Sequence, residues 1–315
     1  MLCFFCSSIK GIYCRRKEYE IMGKQEVSEG RIDLHLHSLL SDGLNTVPEI
    51  VDLALNREKL SVIAITDHNC FALTKKYIVG ADGHLLEVLP GCEFSTTYVV
   101  PGGNRAEEIH VIGLFPKGVD PRAFQDLFDP IAEGKKKYIA AILDQLHELG
   151  VDLNMEEVMK VKRETGYVGR FQMAEILVNK GYGRTVDEIM DHYIGNYSPY
   201  YISATNYVKY ADFRTVIQRI QMNSGFPVLC HPYSYHQMSE NEVLMLIHDF
   251  KEAAGGVGGL EVYYLEYTEE QQASLRKLAD EAHLIPSVAS DRHRKDQPFA
   301  DLGGYSFYME MLKAL

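Results

Sequence analysis

The stretch Arg31–Gly43, RIDLHLHSLLSDG, places His35 and His37 at alternate positions of a short apolar run and ends near Asp42. Successive side chains of a β-strand point to opposite faces, so the two imidazoles project from one face and can bind the same ion. Histidines on the wetter face of an ordinary strand give the same pattern, so the pair alone indicates little. The pattern becomes informative because it recurs along the chain.

Five more apolar runs, rich in β-branched residues, carry His, Asp or Glu at or near their ends, as strands would if they brought ligands to one rim. They are SVIAITDHN (61–69) with His68, LEVLPGCEFST (86–96) with Glu93, EIHVIGLF (108–115) with His110, PVLCHP (227–232) with His231, and LIPSVASDRH (284–293) with Asp291 and His293. With His35, His37 and Asp42 they make nine candidate ligands. The set predicts a multinuclear metal centre.

Segments with helix signals lie between these runs. Thr46 with Glu49 and Ser239 with Glu242 form capping boxes, and residues 268–283 carry leucines at helical spacing. Alternating strands and helices predict an α/β fold with a parallel sheet, either open or closed into a barrel. In such barrels the active site lies at the carboxyl ends of the strands, where the candidate ligands fall.

The middle of the chain, residues 120–202, has helix signals without strand runs. One apolar stripe consists of Ile139, Ile142, Leu143 and Leu146 and ends at Gly150. We expect a helical insertion that covers the mouth of a barrel formed by residues 30–119 and 203–315.

Two basic residues of this insertion are candidate substrate contacts. Arg170 stands at a predicted helix start, where its guanidinium and free backbone N–H groups suit a phosphate, although an ordinary surface arginine is an alternative. Lys135 belongs to the basic run 135–137, which is either a solvated helix face or a phosphate contact.

Length and charge limit the possible partners. A chain of 315 residues with 46% hydrophobic residues can bury a sizeable core, and its net charge of −12 argues against a partner such as long nucleic acid. Residues 1–29 hold an apolar stretch too short to cross a bilayer, so we expect a leader outside the fold, with Met22 as a possible start, and no membrane partner. The sequence leaves the oligomeric state open.

Six cysteines form no spaced framework, which predicts reduced thiols in a cytoplasmic protein. Cys70, Cys92 and Cys230 stand beside candidate ligands and could be nucleophiles or zinc ligands. A buried core position is favoured, because strand neighbours face away from each other. The glycines at 255, 256, 258 and 259 precede an apolar run, whereas a dinucleotide fingerprint follows a strand, so they predict a turn.

The motifs DLHLHSLLSDG, ITDHN, GCEFS, HVIGL, CHP and SDRH occur in this order from about Arg31 to Tyr305. In this the sequence resembles the PHP family, the polymerase and histidinol phosphatase domains. Within that family it is most similar to the branch of nucleoside 3′,5′-bisphosphate phosphatases and 5′-to-3′ exoribonucleases acting on short RNA. That branch also carries a helical insertion between the strands with HVIGL and CHP.

The resemblance implies a distorted seven-stranded PHP barrel that holds three divalent ions. One ion would be held by His35, His37, Glu93 and Asp291, a second by Glu93, His110 and His231, and a third by Asp42, His68 and His293. Five of these residues, His35, His37, Glu93, His231 and Asp291, would be catalytic. The sequence departs from the branch at Arg170, Phe171 and Gln172, where Arg-Pro-His is usual. It also has Arg292 between two ligands, either as an added phosphate contact or as an exposed loop arginine.

Imidazoles mixed with carboxylates suit Mn²⁺ first, with Fe²⁺ or Zn²⁺ as alternatives. Ions about 3.5–4 Å apart, bridged by Glu93, would generate a hydroxide and clamp an in-line displacement at phosphorus. We therefore expect phosphoester hydrolysis of a small phosphorylated substrate, a nucleotide or short RNA, without a covalent phosphoenzyme.

Two alternatives to this phosphatase remain. One is a different small-molecule phosphatase, such as one acting on histidinol phosphate, with the same ions under a different lid. The other is a non-catalytic, metal-binding regulatory module, which the nine filled ligand positions disfavour.

Overall fold

The computed structural model describes residues 30–72, 74, 76–102, 105–161 and 168–315, so the leader predicted at residues 1–29 lies outside the described residues. The protein has an α/β fold built on one sheet. Its strands are β1 (Ile32–Leu36), β2 (Val62–Ile65), β3 (Tyr77–Val79), β4 (Leu85–Val99), β5 (Ala106–Leu114), β6 (Phe226–Leu229), β7 (Gly259–Tyr264) and β8 (Ile285–Ala289).

Seven strands follow the order β1-β2-β4-β5-β6-β7-β8, and β3 pairs with β4 outside this path. β1, β2 and β4 are parallel, as are β6, β7 and β8, but β5 is antiparallel to both of its neighbours. The expectation of a wholly parallel sheet is therefore corrected. Parallel neighbours need a crossover, whereas β4 and β5 are joined by the short connection 100–105 and can only pair antiparallel.

Hydrogen bonds across the seam between β1 and β8 bring the sheet close to a closed barrel. The buried carboxylate of Asp33 accepts from the backbone N–H groups of Ser290 at 3.1 Å and Ala300 at 3.0 Å. The backbone N–H of His37 donates to the carbonyl of Arg292 at 3.0 Å. The predicted α/β barrel is confirmed.

The α-helices of the described residues cover the outside of the barrel and one of its ends. They are Val47–Asp52, Gln125–Glu148, Met155–Val161, Arg170–Asn179, Val186–Ile189, Phe213–Met222, Glu240–Ala253, Glu269–Ala282 and Tyr305–Ala314. Both predicted capping boxes are present, with Thr46 and Ser239 as the N-caps. Gly255 and Gly256 have φ of 62° and 76° in the turn before β7, as the glycine run predicts. No helix in the described ranges is both long and apolar enough to cross a membrane.

Between β5 and β6, residues 121–206 form a helical segment with a hydrophobic cluster of its own, whereas the helix Phe213–Met222 belongs to a cluster under the sheet. The predicted stripe of the long helix Gln125–Glu148 is buried in this cluster and packs against Met173, Leu177 and Ile189. The cluster continues to Val208 and Tyr210, beyond the predicted boundary at residue 202. The helices thus gather around a core that differs from the clusters under the sheet.

Candidate metal centre

All nine predicted ligands converge at the end of the barrel where β1, β2, β6 and β8 have their carboxyl ends, which we call the mouth. Four of them follow directly after β2, β6 or β8, and two come from within β4 and β5. In chain order the nine are His35, His37, Asp42, His68, Glu93, His110, His231, Asp291 and His293. The structure therefore brings the set together, while the role of each residue as a ligand stays a prediction.

Glu93 lies at the centre of this set and is 1% exposed. Its Oε1 is 2.8 Å from His110 Nδ1 and 3.1 Å from His231 Nε2. Its Oε2 is 3.1 to 3.2 Å from nitrogen atoms of His35, His37 and His68. One carboxylate therefore faces five imidazoles, which is the geometry of a bridging ligand.

Asp291 and His231 both have positive φ angles, 49° and 25°, which residues other than glycine rarely adopt. Each follows a strand end, and the turn directs its side chain into the centre. Asp291 Oδ1 lies 3.3 Å from His35 Nε2 and 3.1 Å from His37 Nε2, and its Oδ2 accepts from Tyr264 Oη at 3.1 Å. The backbone strain is thus located where two candidate ligands enter the site.

Asp42 joins a second group at the rim. Its Oδ1 is 3.2 Å from His293 Nε2 and 3.5 Å from His37 Nδ1, and its Oδ2 is 3.7 Å from His68 Nε2. The rings of His37 and His293 stack with centroids 4.0 Å apart. This group matches the third predicted ligand set, with His37 as an added neighbour.

A metal ion fits the chemistry of these residues. Glu93 Oε2, Asp291 Oδ1 and His110 Nδ1 are buried atoms with no hydrogen-bond partner among the described residues. Buried polar atoms normally have partners, and exceptions require an explanation such as an ion. Imidazole nitrogens and carboxylate oxygens at these spacings are a donor set for Mn²⁺, Fe²⁺ or Zn²⁺.

The charges of the centre reflect its dense packing of carboxylates. Burial opposes a charge on His37, yet the nearby carboxylates of Asp291 and Glu93 raise the pKa of His37 to about 10. Burial also opposes ionisation of Glu93, but the surrounding histidines hold the pKa of its carboxyl well below the usual range. By contrast, burial lowers the pKa of His68 to about 3. The carboxylates therefore attract positive charge into the pocket, which a divalent cation would supply in place of protons.

Sequence reasoning missed a buried carboxylate behind the ligands, Glu261 in β7. Glu261 is 0% exposed; its Oε1 accepts from His35 Nδ1 at 2.7 Å and its Oε2 accepts from the backbone N–H of His231 at 2.7 Å. The available signal was a single acidic residue inside the apolar run GLEVYY.

The sequence pattern also gives no role to Asp67, which the structure places beside the loop that carries Asp42. Its carboxylate accepts from the backbone N–H and the hydroxyl of Ser38 and from the hydroxyl of Ser41, each at 2.7 Å. These bonds hold the loop that carries Asp42.

Two of the three thiols, Cys92 and Cys230, occupy core positions as the favoured interpretation predicts, whereas Cys70 is only half-buried. Cys92 and Cys230 are buried, and burial raises the pKa of both thiols well above the usual range. Although Cys230 Sγ lies within 4.8 Å of ligand atoms of Glu93 and His231, it donates to the carbonyl of Val228 at 3.7 Å. A protonated thiol of this kind is a poor nucleophile.

A cavity of about 1070 Å³ is lined both by candidate ligands of the centre and by residues of the helical segment. Two of the three predicted substrate contacts, Lys135 and Arg170, line its wall. Lys135 Nζ lies 5.5 Å from the centroid of the Tyr138 ring, and Arg170 Cζ lies 5.7 Å from that of Tyr201. The cavity lining therefore combines positive charge and aromatic surface with the carboxylates of the centre.

Arg292, the third predicted contact, does not line the cavity, and the structure corrects both of its interpretations. Its side chain is buried, and its guanidinium donates to Asn45 Oδ1, the carbonyl of Gln297 and the carbonyl of Lys295, each at 2.8 Å. Its donors are engaged in holding a loop, so it is neither a phosphate contact nor an exposed arginine.

Comparisons with known proteins agree with this geometry. Residues 33–282 match the model of the PHP domain. The chain is 30% identical over 263 residues to the 5′-3′ exoribonuclease of Haemophilus influenzae, covering 84% of this chain and 90% of that protein. It is 26% identical over 279 residues to the 3′,5′-nucleoside bisphosphate phosphatase of Chromobacterium violaceum, covering 86% and 90%. A solved structure of an amidohydrolase from Chromobacterium violaceum shares the fold with a TM-score of 0.71 at 24% identity, covering 90% of this chain and 96% of that one.

Proposed function

Because the chain belongs to the PHP domain family, we propose that it hydrolyses phosphate monoesters of small nucleotides, such as a nucleoside 3′,5′-bisphosphate, or of short 5′-phosphorylated RNA. The enzyme class, a metal-dependent phosphoesterase, follows from the family and from relatives named as phosphatase and exoribonuclease. The choice of substrate is the proposal, and it is supported by the names of those relatives and by the cavity.

One observation carries the proposal. Candidate ligands of the centre and the cationic side chains of Lys135 and Arg170 line the same cavity, together with further carboxylates such as Glu108. Its volume of about 1070 Å³ exceeds the needs of a single phosphate group. A substrate with one phosphate at the centre and a second anionic group at the wall matches this distribution of charge.

Three groups of residues would hold the ions. We propose that His35, His37, Glu93 and Asp291 hold one, that Glu93, His110 and His231 hold a second, and that Asp42, His68 and His293 hold a third, with Mn²⁺ preferred and Fe²⁺ or Zn²⁺ as alternatives. When bound, such ions neutralise phosphate oxygens and lower the pKa of water.

The protein's own residues orient the reaction. Glu93 holds the first two ligand groups next to each other, because each of its carboxylate oxygens faces imidazoles. Tyr264 fixes Asp291 through its hydroxyl, and Lys135 and Arg170 bind the anionic group that is not hydrolysed.

A substrate panel tests the proposal. Purified protein is assayed with Mn²⁺ on adenosine 3′,5′-bisphosphate, a short 5′-monophosphorylated RNA and histidinol phosphate, with Asp291→Asn as the control for contaminating phosphatases. We expect the highest kcat/KM on one of the first two substrates. A clear preference for histidinol phosphate would overturn the choice of substrate.

Two further measurements address the remaining parts of the proposal. Fewer than two ions per chain after purification in Mn²⁺ would favour a non-catalytic module. Trapping of labelled phosphate on the protein during turnover would contradict direct attack by water. We also propose a reducing, cytoplasmic location, which is supported by the free thiols of Cys70, Cys92 and Cys230.

A further inference from the structure

The loop that carries Asp42 is in direct contact with the start of the helix Arg170–Asn179. Gln172 is 5% exposed, and its Nε2 donates to the carbonyl of Ser41 at 2.7 Å and reaches that of Gly43 at 3.5 Å. Its Oε1 accepts from the backbone N–H of Gly169 at 2.5 Å. The carboxamide therefore binds the carbonyls on both sides of Asp42 while it caps its own helix.

Gly169 brings the two backbones unusually close. A Cβ atom at position 169 would lie 2.1 Å from Asp42 Cβ, a separation that real atoms do not reach. The φ of Gly169 is −94°, so glycine is required here by the close approach and not by its backbone conformation. The helix start thus packs against the Asp42 side chain itself.

The neighbouring residue of this helix start contacts another candidate ligand. The ring of Phe171 lies 4.7 Å from that of His293, which in turn stacks on His37. Arg170, one position earlier, lines the cavity. Three consecutive residues thus contact the cavity, His293 and the Asp42 loop.

We infer that Gln172 is a positioning residue that docks the helical segment onto the Asp42 loop, so that cation affinity of the group His37, Asp42, His68 and His293 depends on it. The inference rests on the proposed function because it concerns the same centre. It does not depend on the substrate.

The test compares two glutamines that each bind a backbone carbonyl. Gln172→Glu keeps an acceptor for the N–H of Gly169 and replaces the donor to Ser41, and Gln172→Leu removes both interactions. Gln221→Glu is the matched control, since Gln221 Nε2 donates to the carbonyl of Ala254 at 2.8 Å in a different part of the protein. Each variant is stripped of metal, checked by circular dichroism and titrated with Mn²⁺ by calorimetry, with bound metal counted after equilibrium dialysis.

Both Gln172 variants are expected to bind one Mn²⁺ about 10- to 100-fold less tightly, the usual effect of losing a group that orients a ligand, while Gln221→Glu is unchanged. The double variant of Gln172→Leu with Asp42→Ala should bind as many ions as Asp42→Ala alone, because both changes act on one group. Fewer ions in the double variant than in Asp42→Ala would show that Gln172 acts outside this group, which would overturn the inference.

Wild-type Mn²⁺ affinity in both Gln172 variants would overturn the inference. So would failure of both to fold while Gln221→Glu folds, because Gln172 would then act in stability and not in positioning. Because binding is measured without substrate, the two proposals fail separately. Weakened Mn²⁺ binding in the Gln172 variants, with no phosphatase activity in the wild type, refutes only the proposed function. Wild-type activity on the bisphosphate, with unchanged Mn²⁺ binding in the variants, refutes only this inference.

Discussion

Glu261→Gln should disable the centre although the replacement has almost the same shape. Glu261 accepts two hydrogen bonds, one from His35 Nδ1 and one from the backbone N–H of His231. The backbone donor cannot change, so the amide oxygen must face His231, and the amide NH₂ then faces His35. The imidazole of His35 must accept at Nδ1 and carry its proton on Nε2, the atom that points towards Glu93 and Asp291.

The magnitude follows from the bond that is lost. A hydrogen bond to a charged group contributes about 1.5–3 kcal/mol, and a donor that replaces a buried acceptor forfeits at least this amount. Since 1.4 kcal/mol is a factor of ten, the affinity for an ion held by His35 should fall by about 10- to 150-fold. The loss should not extend to the ion proposed for Asp42, His68 and His293, because the hydrogen bonds of Glu261 reach none of these residues.

Calorimetric titration with Mn²⁺ measures this loss of affinity. The kcat of the variant at saturating Mn²⁺ shows how much activity returns when the weakened site is filled. Glu87→Gln is the matched control, because Glu87 lies earlier in the same strand as Glu93 and pairs with Lys76. If Glu261→Gln binds every ion within twofold of the wild-type affinity, the tautomer argument is refuted.

Binding of Mn²⁺ at pH 7 should release protons, since carboxylates including Glu93 overcome burial and raise the pKa of His37 and His110 to about 10 in the ion-free protein. Both rings must lose a proton to bind a cation, so affinity rises as pH increases from neutral towards 10; calorimetry in buffers of different ionisation enthalpy measures the release, and its absence would contradict the assignment. Asp33→Ala leaves two backbone N–H groups unpaired at the barrel seam, at a cost of about 1–3 kcal/mol each. The free energy of unfolding in urea should therefore fall by about 2–6 kcal/mol, and an unchanged urea midpoint would show that these hydrogen bonds do not stabilise the barrel. His68→Ala should lose most activity yet stay folded, because this side chain lies at the rim and is 12% exposed; an insoluble variant would point to a structural role.

The candidate ligands could be predicted because two simple rules place them. Alternation along β1 puts His35 and His37 on one face, and the carboxyl ends of parallel strands bring His68 and Asp291 to one rim. The family, the enzyme class and the barrel were confirmed by the comparisons and the structure.

The errors concern interactions between distant parts of the chain. The direction of β5 depends on the length of one connection, which the strand and helix signals do not reveal. The sequence around Arg292 is typical of a surface loop and does not show that the loop buries its side chain. The sequence around Glu261 likewise does not show that this residue contacts two histidines. Gln172 is informative only beside the loop that it binds. Such partners are fixed by three-dimensional packing and not by local pattern.

The seam made by Asp33 has a consequence for the order of assembly during synthesis. It joins residues 257 positions apart, so the pocket draws its parts from both extremes of the barrel sequence. A ribosome must release nearly all of the chain before Asp291 can meet His35. A nascent polypeptide that ends before Asp291 therefore lacks ligands for two of the three proposed ions. Because metal binding and folding are thermodynamically linked, a truncated product loses the stabilisation that these ions would give the complete chain.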